Sequence, residues 1–154
     1  MAFNEVISEL AQETGAHLEA MDGICAFAVG DNADDLVKVL LQDLGNGRHL
    51  VLWADLGAPP PECKDTLWRT ALEANDLLDL TGGATLSVIP GNGHFRLQRI
   101  ETFEEMELAG RAHLEGFIDT ALKWHQIVVK AQMPEKTQEE SPEAFMMDST
   151  FISI

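Results

Sequence analysis

Two Gly-Asn-Gly tripeptides, each between apolar segments, are the feature that most limits the folds open to this chain. They occupy positions 45–47 and 91–93, the second within "PGNGHFRLQR". Asn-Gly pairs favour the positive φ angles of tight hairpin turns, and a strand-like pattern follows each tripeptide. A glycine loop that holds a phosphate leads instead from a strand into the first turn of a helix. We therefore predict two β-hairpins and no nucleotide site.

The segments around these turns have the length and apolar pattern of β-strands. In the second hairpin, Leu86 and Val88 should face Phe95 and Leu97 across the strand pair. A further strand near the N-terminus is short, apolar throughout and bounded by glycines, which predicts a strand covered on both sides. The predicted strands are "GICAFAVG" (23–30), "LVKVLLQ" (36–42), "HLVLWADL" (49–56), "ATLSVIP" and "FRLQRIE".

Three helices complete the predicted order. The first runs from an N-cap at Asn4 to a stop at Gly15, and the second runs from near Glu62 to Gly82-Gly83. The Thr102–Glu105 capping box begins a long third helix. The order α-β-β-β-α-β-β-α with a twisted antiparallel sheet indicates an α+β, sandwich-like domain. The apolar side of the third helix is predicted to contain Met106, Leu114, Phe117, Ala121, Trp124 and Val128.

Charge excludes several classes of partner. The chain has 154 residues with 10 Lys+Arg against 26 Asp+Glu, a formal net charge of -16. Such a field repels phosphate backbones and anionic lipids, so we expect neither nucleic acid binding nor membrane insertion. No segment has the ~20 apolar residues of a membrane span, and the two cysteines indicate no disulfide framework. We expect a soluble protein of the reducing cytosol.

No residue pattern predicts catalysis, a cofactor or a metal site. The five histidines show neither an HExxH motif nor paired spacing, and "DNADD" (31–35) lacks the oxygen ligands and glycine of a calcium loop. Cys63 beside Lys64, near a helix start, is a candidate low-pKa thiol. No nucleophile motif surrounds it, so we predict that the chain is not an enzyme.

The second helix has a wider apolar surface than one core-facing stripe needs. Trp68 and Leu72 belong to that surface, which could fill the core or meet another chain. In a domain this small we favour a second copy, because a homodimer interface of about 1,200–2,000 Å² would cover it.

The C-terminal region changes character. We divide the chain into a domain over residues 1–131 and a flexible acidic linker with an apolar tail over 132–154. The tail residues Phe145, Met146, Met147, Phe151 and Ile152 could occupy an apolar groove or sheet edge when no partner is bound. Alternatively, the tail is a disordered end or a strand packed permanently on its own domain.

Leu67 to Gln126 carries a resemblance to a known family. This segment contains a helix ending in Leu-Glu-Ala-Asn, then Gly-Gly-Ala-Thr-Leu, a Gly-rich turn and a strand ending in Leu-Gln-Arg. Together with "DGICAF" and "LLQDLGNGRHLVLWADLG", the chain resembles the class I type III secretion chaperones, the CesT/Tir-chaperone family, over roughly residues 3–130.

The resemblance implies a homodimer in the bacterial cytoplasm. Such a dimer binds the N-terminal segment of a secreted effector and keeps it soluble and export-competent without ATP or another cofactor. The dimer contact implied by the resemblance comprises Leu67, Trp68, Ala71, Leu72, Asn75, Leu86 and Val88. The implied effector contacts are Phe3, Val6, Ile7 and Leu10 on the first helix, with Ile24, Phe27 and Val29 on the first strand.

Two other classes of function stay open from sequence. A small acidic adaptor or regulator that binds a folded protein would have the same charge and the same lack of motifs. A weak hydrolase would depend on Cys63.

Overall fold

A five-stranded antiparallel sheet with three helices forms the part of the chain that the structure, a computed structural model, describes: residues 2–132. The predicted α+β class and element order are confirmed. The elements are α1 (Phe3–Thr14), β1 (Ile24–Val29), β2 (Val37–Asp43), β3 (His49–Gly57), a 3-10 turn (Pro61–Cys63), α2 (Lys64–Leu77), β4 (Thr85–Val88), β5 (Phe95–Thr102) and α3 (Phe103–Lys130).

The strands lie in the order β1-β2-β3-β5-β4, so β3 is central and β1 and β4 are the two edges. Both predicted hairpins form: β2 pairs with β3, and β4 pairs with β5. In the second hairpin Leu86 lies opposite Leu97 and Val88 lies opposite Phe95, as the alternation predicts. The long connection from β3 to β4 contains α2, which packs beside the β4 edge.

The Gly-Asn-Gly segments are turns, and their geometry differs from a two-residue hairpin. The left-handed backbone falls on the glycines, with φ of 75° at Gly45 and 69° at Gly47. Asn46 contributes through its side chain, because its Oδ1 accepts hydrogen bonds from the amides of Arg48 and His49 at 3.0 and 2.9 Å. An asparagine in this role stabilises a longer loop.

One face of the sheet packs against α3, which packs in turn against α1, and buried side chains from all three form the core. Along β3 the buried positions alternate with half-exposed ones, which is the pattern of a strand with one covered face. Gly110 allows α1 and α3 to approach closely, because a Cβ there would lie 2.9 Å from Leu10 Cδ2. All six side chains predicted for the apolar side of α3 are buried: Met106, Leu114, Phe117, Ala121, Trp124 and Val128.

The capping box at the start of α3 is confirmed. Thr102 Oγ1 accepts a hydrogen bond from the Glu105 amide, and the Glu105 carboxylate accepts one from the Thr102 amide, both at 3.0 Å. The Thr102 bonds hold the pKa of Glu105 below its usual value. For α1 the predicted N-cap, Asn4, is wrong: the helix begins at Phe3 and its N-cap is Ala2, whose amide donates a hydrogen bond to the Glu5 carboxylate.

Two further boundaries differ from prediction. Only Cys25 of β1 is buried, and Ile24, Ala26 and Ala28 on the opposite face are exposed, so the expectation of a strand covered on both faces is wrong. The strand is also an edge of the sheet, with one partner strand. The second helix ends at Leu77 rather than at Gly82-Gly83, because Leu78 takes a left-handed φ of 60°. The linker and tail predicted over 132–154 lie outside the described residues, apart from position 132, so the domain division stays a prediction.

Candidate protein-binding surfaces

The first candidate surface lies between α2 and β4. We call Trp68, Ala71, Leu72, Leu86 and Val88 the α2–β4 face, because they line one concave, largely apolar pocket of about 350 Å³. The pocket also includes Ser87 and Phe95. Leu72 is 71% exposed, whereas Trp68 and Val88 are each 38% exposed. Large apolar side chains in a shared pocket indicate a surface that another molecule covers.

Two other residues predicted for the dimer contact have internal roles. Leu67 is 1% exposed and belongs to the core. The Asn75 side chain donates to the Leu86 carbonyl at 2.9 Å and accepts from the Leu86 amide at 2.8 Å. Asn75 therefore satisfies the outward backbone groups of Leu86, at the middle of the β4 edge.

The second candidate surface is a groove beside β1. We call Leu18, Phe27, Val29, Leu114 and Ile118 the β1 groove; they line a mainly apolar cavity of about 350 Å³ between β1, α3 and the segment after α1. Its rim includes polar side chains at positions 14, 17 and 115. The groove therefore has apolar walls with a polar border, as protein-protein interfaces do.

The outer backbone of β1 adjoins this groove. The Gly23 carbonyl accepts a hydrogen bond from the Asp43 amide of β2. The amide and carbonyl of Ile24 point away from β2 and bond the backbone of Met21. Because an antiparallel ladder alternates, Ala26 and Ala28 also direct their amides and carbonyls away from β2. No strand within residues 2–132 pairs with that side of β1. Two residues of the edge can thus bond an added strand.

The predicted effector contacts divide into core and surface. Phe3, Val6, Ile7 and Leu10 are 1–4% exposed and belong to the hydrophobic core, so the structure does not place them where a partner can reach. Their helical spacing fits the core-facing stripe of α1. Phe27 and Val29 line the β1 groove together, whereas Ile24, 37% exposed, lies on the opposite face of the strand.

A polar cluster fastens the loop after β1 to α3. His125 Nε2 contacts Asp35 Oδ1 at 2.6 Å, and Gln126 Nε2 donates to Asp35 Oδ2 at 2.8 Å. His125 Nδ1 lies 2.9 Å from the Leu56 carbonyl oxygen. The bonds from His125 and Gln126 lower the pKa of the Asp35 carboxyl from its usual value. This cluster joins the loop between β1 and β2 to the last turns of α3 and to the Leu56 carbonyl of β3.

A second polar cluster surrounds the buried Glu101, where β5 meets α3. Glu101, 6% exposed, pairs with Arg99 and with His113, whose Nδ1 lies 3.1 Å from Glu101 Oε1. Arg99 also donates to the carbonyls of Gly82 and His113. These bonds connect β5 to α3 and to the turn before β4. Across residues 2–132, no group of three or more His, Cys, Asp or Glu side chains is placed to hold a metal ion.

The sequence model of the Tir chaperone protein (CesT) family matches residues 5–125. The chain belongs to that family. Among curated protein sequences, none matches this chain.

Several solved structures share the fold of this family member. The HopA1-SchA chaperone-effector complex contains a chain with TM-score 0.62 and 17% identity, covering 83% of this chain and 93% of that one. The ExsC-ExsE complex gives TM-score 0.62 and 18% identity, covering 84% and 95%. The Yersinia pestis type III secretion chaperone SycH, in complex with a fragment of YscM2, gives TM-score 0.56 and 20% identity, covering 79% and 98%. At these identities the likeness establishes the fold.

The sequence reasoning missed part of the β1 groove. Leu18, in the segment after α1, and Ile118, one helical turn after Leu114, line it beside Phe27 and Val29. The i, i+4 spacing of Leu114 and Ile118 was visible in the sequence and indicates a shared helix face. None of the helices described between residues 2 and 132 has the length and apolarity needed to cross a membrane.

Proposed function

We propose that this chain is a type III secretion chaperone of the bacterial cytoplasm, which acts as a homodimer and binds the N-terminal segment of a secreted effector. The bound segment is kept extended, soluble and ready for export, without ATP, cofactor or catalysis. The observation that carries the proposal is the β1 groove beside the open β1 edge, in a chain of the CesT family.

The groove and the edge together suit an extended segment. Ala26 and Ala28 offer up to four backbone hydrogen bonds, which contribute about 2–6 kcal/mol at ~0.5–1.5 kcal/mol each. Fixing about four residues of an unfolded segment costs about 4–8 kcal/mol, so backbone pairing alone does not hold it. Apolar side chains must therefore enter the groove formed by Phe27, Val29 and Ile118, at about 1.5–3 kcal/mol for each fully buried one.

The α2–β4 face supports the homodimer. Its exposed residues Trp68, Leu72 and Val88 form one patch, and a two-fold axis would bring two copies of that patch into contact. Two effector grooves, one from each copy, then remain on the outside of the dimer. A single long segment could occupy both.

The charge of the chain is compatible with uncovered apolar grooves. A formal net charge of -16 makes empty chaperones repel one another at long range, while grooves of a few hundred cubic ångströms stay accessible. A client segment with basic residues near its apolar anchors would be attracted to the same field.

The test uses purified chain and isolated N-terminal segments of secreted effectors from the source bacterium. We expect a stable complex with two chaperone chains per segment, measured by light scattering after gel filtration. Phe27→Glu should abolish the complex, because it places a carboxylate among apolar groove walls. Leu108→Glu is the matched control, since Leu108 is 80% exposed and lies outside both surfaces.

A different result separates this function from its alternative. If the chain binds an intact folded partner but no leading segment, it is an acidic adaptor rather than a chaperone. Alkylation of Cys63, a half-buried free thiol at the start of α2, tests the proposed absence of catalysis. Client capture should survive alkylation, whereas loss of a hydrolytic activity on alkylation would identify an enzyme.

A further inference from the structure

The β1 groove lies close to the point where the chain leaves α3. His125 and Gln126, in the last turns of α3, bond Asp35 in the loop that follows β1. A Cβ on Gly30 would lie 2.6 Å from the Asp35 carbonyl oxygen, so Gly30 is packed against the same loop. The chain beyond α3 therefore starts beside the end of β1 that carries Val29.

The remaining chain is long enough to return along the groove. From Ile118 to Lys130 the helix advances about 18 Å, at ~1.5 Å per residue. The segment 132–144 can span about 43–47 Å when extended, at ~3.3–3.6 Å per residue. Residues 145–154 can thus reach the whole β1 groove of their own chain with length to spare.

The chemistry of those last residues suits the groove. In "FMMDSTFISI", an extended backbone places Phe145, Met147 and Phe151 on one side. Those side chains match apolar walls, and the backbone could bond the outward groups of Ala26 and Ala28. A strand that enters beside Val29 and runs back along the edge is antiparallel to β1.

We propose that residues 145–154 occupy the β1 groove of their own chain, antiparallel to β1, and that a client must displace them. The client in this statement rests on the proposed function above. The tail then covers the apolar surface of the groove until a client segment displaces it. Only segments that bind the groove more tightly than the tethered tail are then captured.

The expected size of the competition follows from the tether. A short flexible linker gives an effective concentration on the order of 1 mM. A tail that binds the groove with a dissociation constant of about 0.1 mM is then bound in roughly nine chains of ten, and it weakens any competitor about tenfold.

The test needs no identified client, because a labelled peptide of residues 143–154 is the probe. Its affinity is measured for the full-length chain and for a full-length variant with Phe145→Ser, Met147→Ser and Phe151→Ser. We expect the variant to bind the peptide about tenfold more tightly, because its own tail no longer fills the groove. Hydrogen exchange should also be faster at Ala26 and Ala28 in the variant.

Substitutions in the groove locate the binding site. In the triple-variant background, Phe27→Glu and, independently, Ile118→Asp should abolish peptide binding, while Leu108→Glu should not change it. Far-UV circular dichroism checks that each variant is folded, and Ile118→Asp keeps the test intact if Phe27→Glu does not fold.

Two results would overturn the proposal. One is equal peptide affinity for the wild-type chain and the triple variant. The other is peptide binding that Leu72→Glu abolishes and both groove substitutions leave unchanged, because the tail would then bind the α2–β4 face. Neither result bears on whether an effector segment is captured, so the proposed function is judged separately.

Discussion

Replacing Leu72 with aspartate should convert the proposed homodimer into monomers. Leu72 is 71% exposed in the single chain and lines the α2–β4 face, so the dimer contact would bury most of it. Full burial of a leucine contributes about 1.5–3 kcal/mol, so this fraction contributes about 1–2 kcal/mol per copy. A two-fold contact contains the residue twice, which gives about 2–4 kcal/mol, or about 30- to 1,000-fold in the dimer dissociation constant.

Sedimentation equilibrium over a range of protein concentrations measures that constant. The substitution should leave each chain folded, because an exposed helix position loses no core contact. Leu108→Asp is the matched control: it changes an exposed leucine on α3, 80% exposed, and should leave the dimer unchanged. A Leu72→Asp chain that dimerises as tightly as the wild type would refute the assignment of this face, as would a wild-type chain that is monomeric throughout.

Three further substitutions test what holds the domain together, each by chemical unfolding. Asn75→Ala should lower the free energy of unfolding by about 1–3 kcal/mol, because the Leu86 amide and carbonyl lose both partners; an unchanged value would contradict this. Thr102→Ala should cost about 0.5–2 kcal/mol through the lost cap of α3, whereas Thr102→Ser should restore most of it. Hydrogen bonds, of which the one from His125 is the largest cause, lower the pKa of the Asp35 carboxyl from its usual value of 3.8. They therefore stabilise the fold at pH values above 3.8, and this stabilisation is lost as the pH falls through the lowered pKa. Asp35→Asn should therefore flatten the loss of stability below about pH 4, and an identical pH profile would argue against a stabilising role of these hydrogen bonds.

The strands and the start of α3 could be predicted because local signals agreed with the fold. Alternating apolar positions, a capping box and glycine turns each restrict the backbone within a few residues. The second hairpin has the predicted pairing for this reason. The end of α2 was not predictable in the same way, because Leu78, a residue with an ordinary helix preference, adopts a left-handed conformation there.

The surfaces were harder to predict than the elements. An apolar stripe on α1 looks the same whether it packs in the core or lines a groove, and only the fold assigns Phe3, Val6 and Leu10 to the core. The exposed side of α2 was distinguishable, because Trp68 and Leu72 add apolar width beyond one stripe. The β1 groove required the sheet order, since nothing local indicates that β1 is an edge.

The Asn75 amide has a consequence for how these molecules can aggregate. A sheet with two open edges can grow into a fibre, because the edge strand of each molecule can pair with the edge strand of the next. Here the β4 edge is blocked at its middle, because the Asn75 side chain bonds both the amide and the carbonyl of Leu86. Strand-by-strand stacking can therefore begin at the β1 edge but cannot pass through Leu86 at the β4 edge, so a single asparagine keeps the sheets of neighbouring molecules from joining into one continuous sheet.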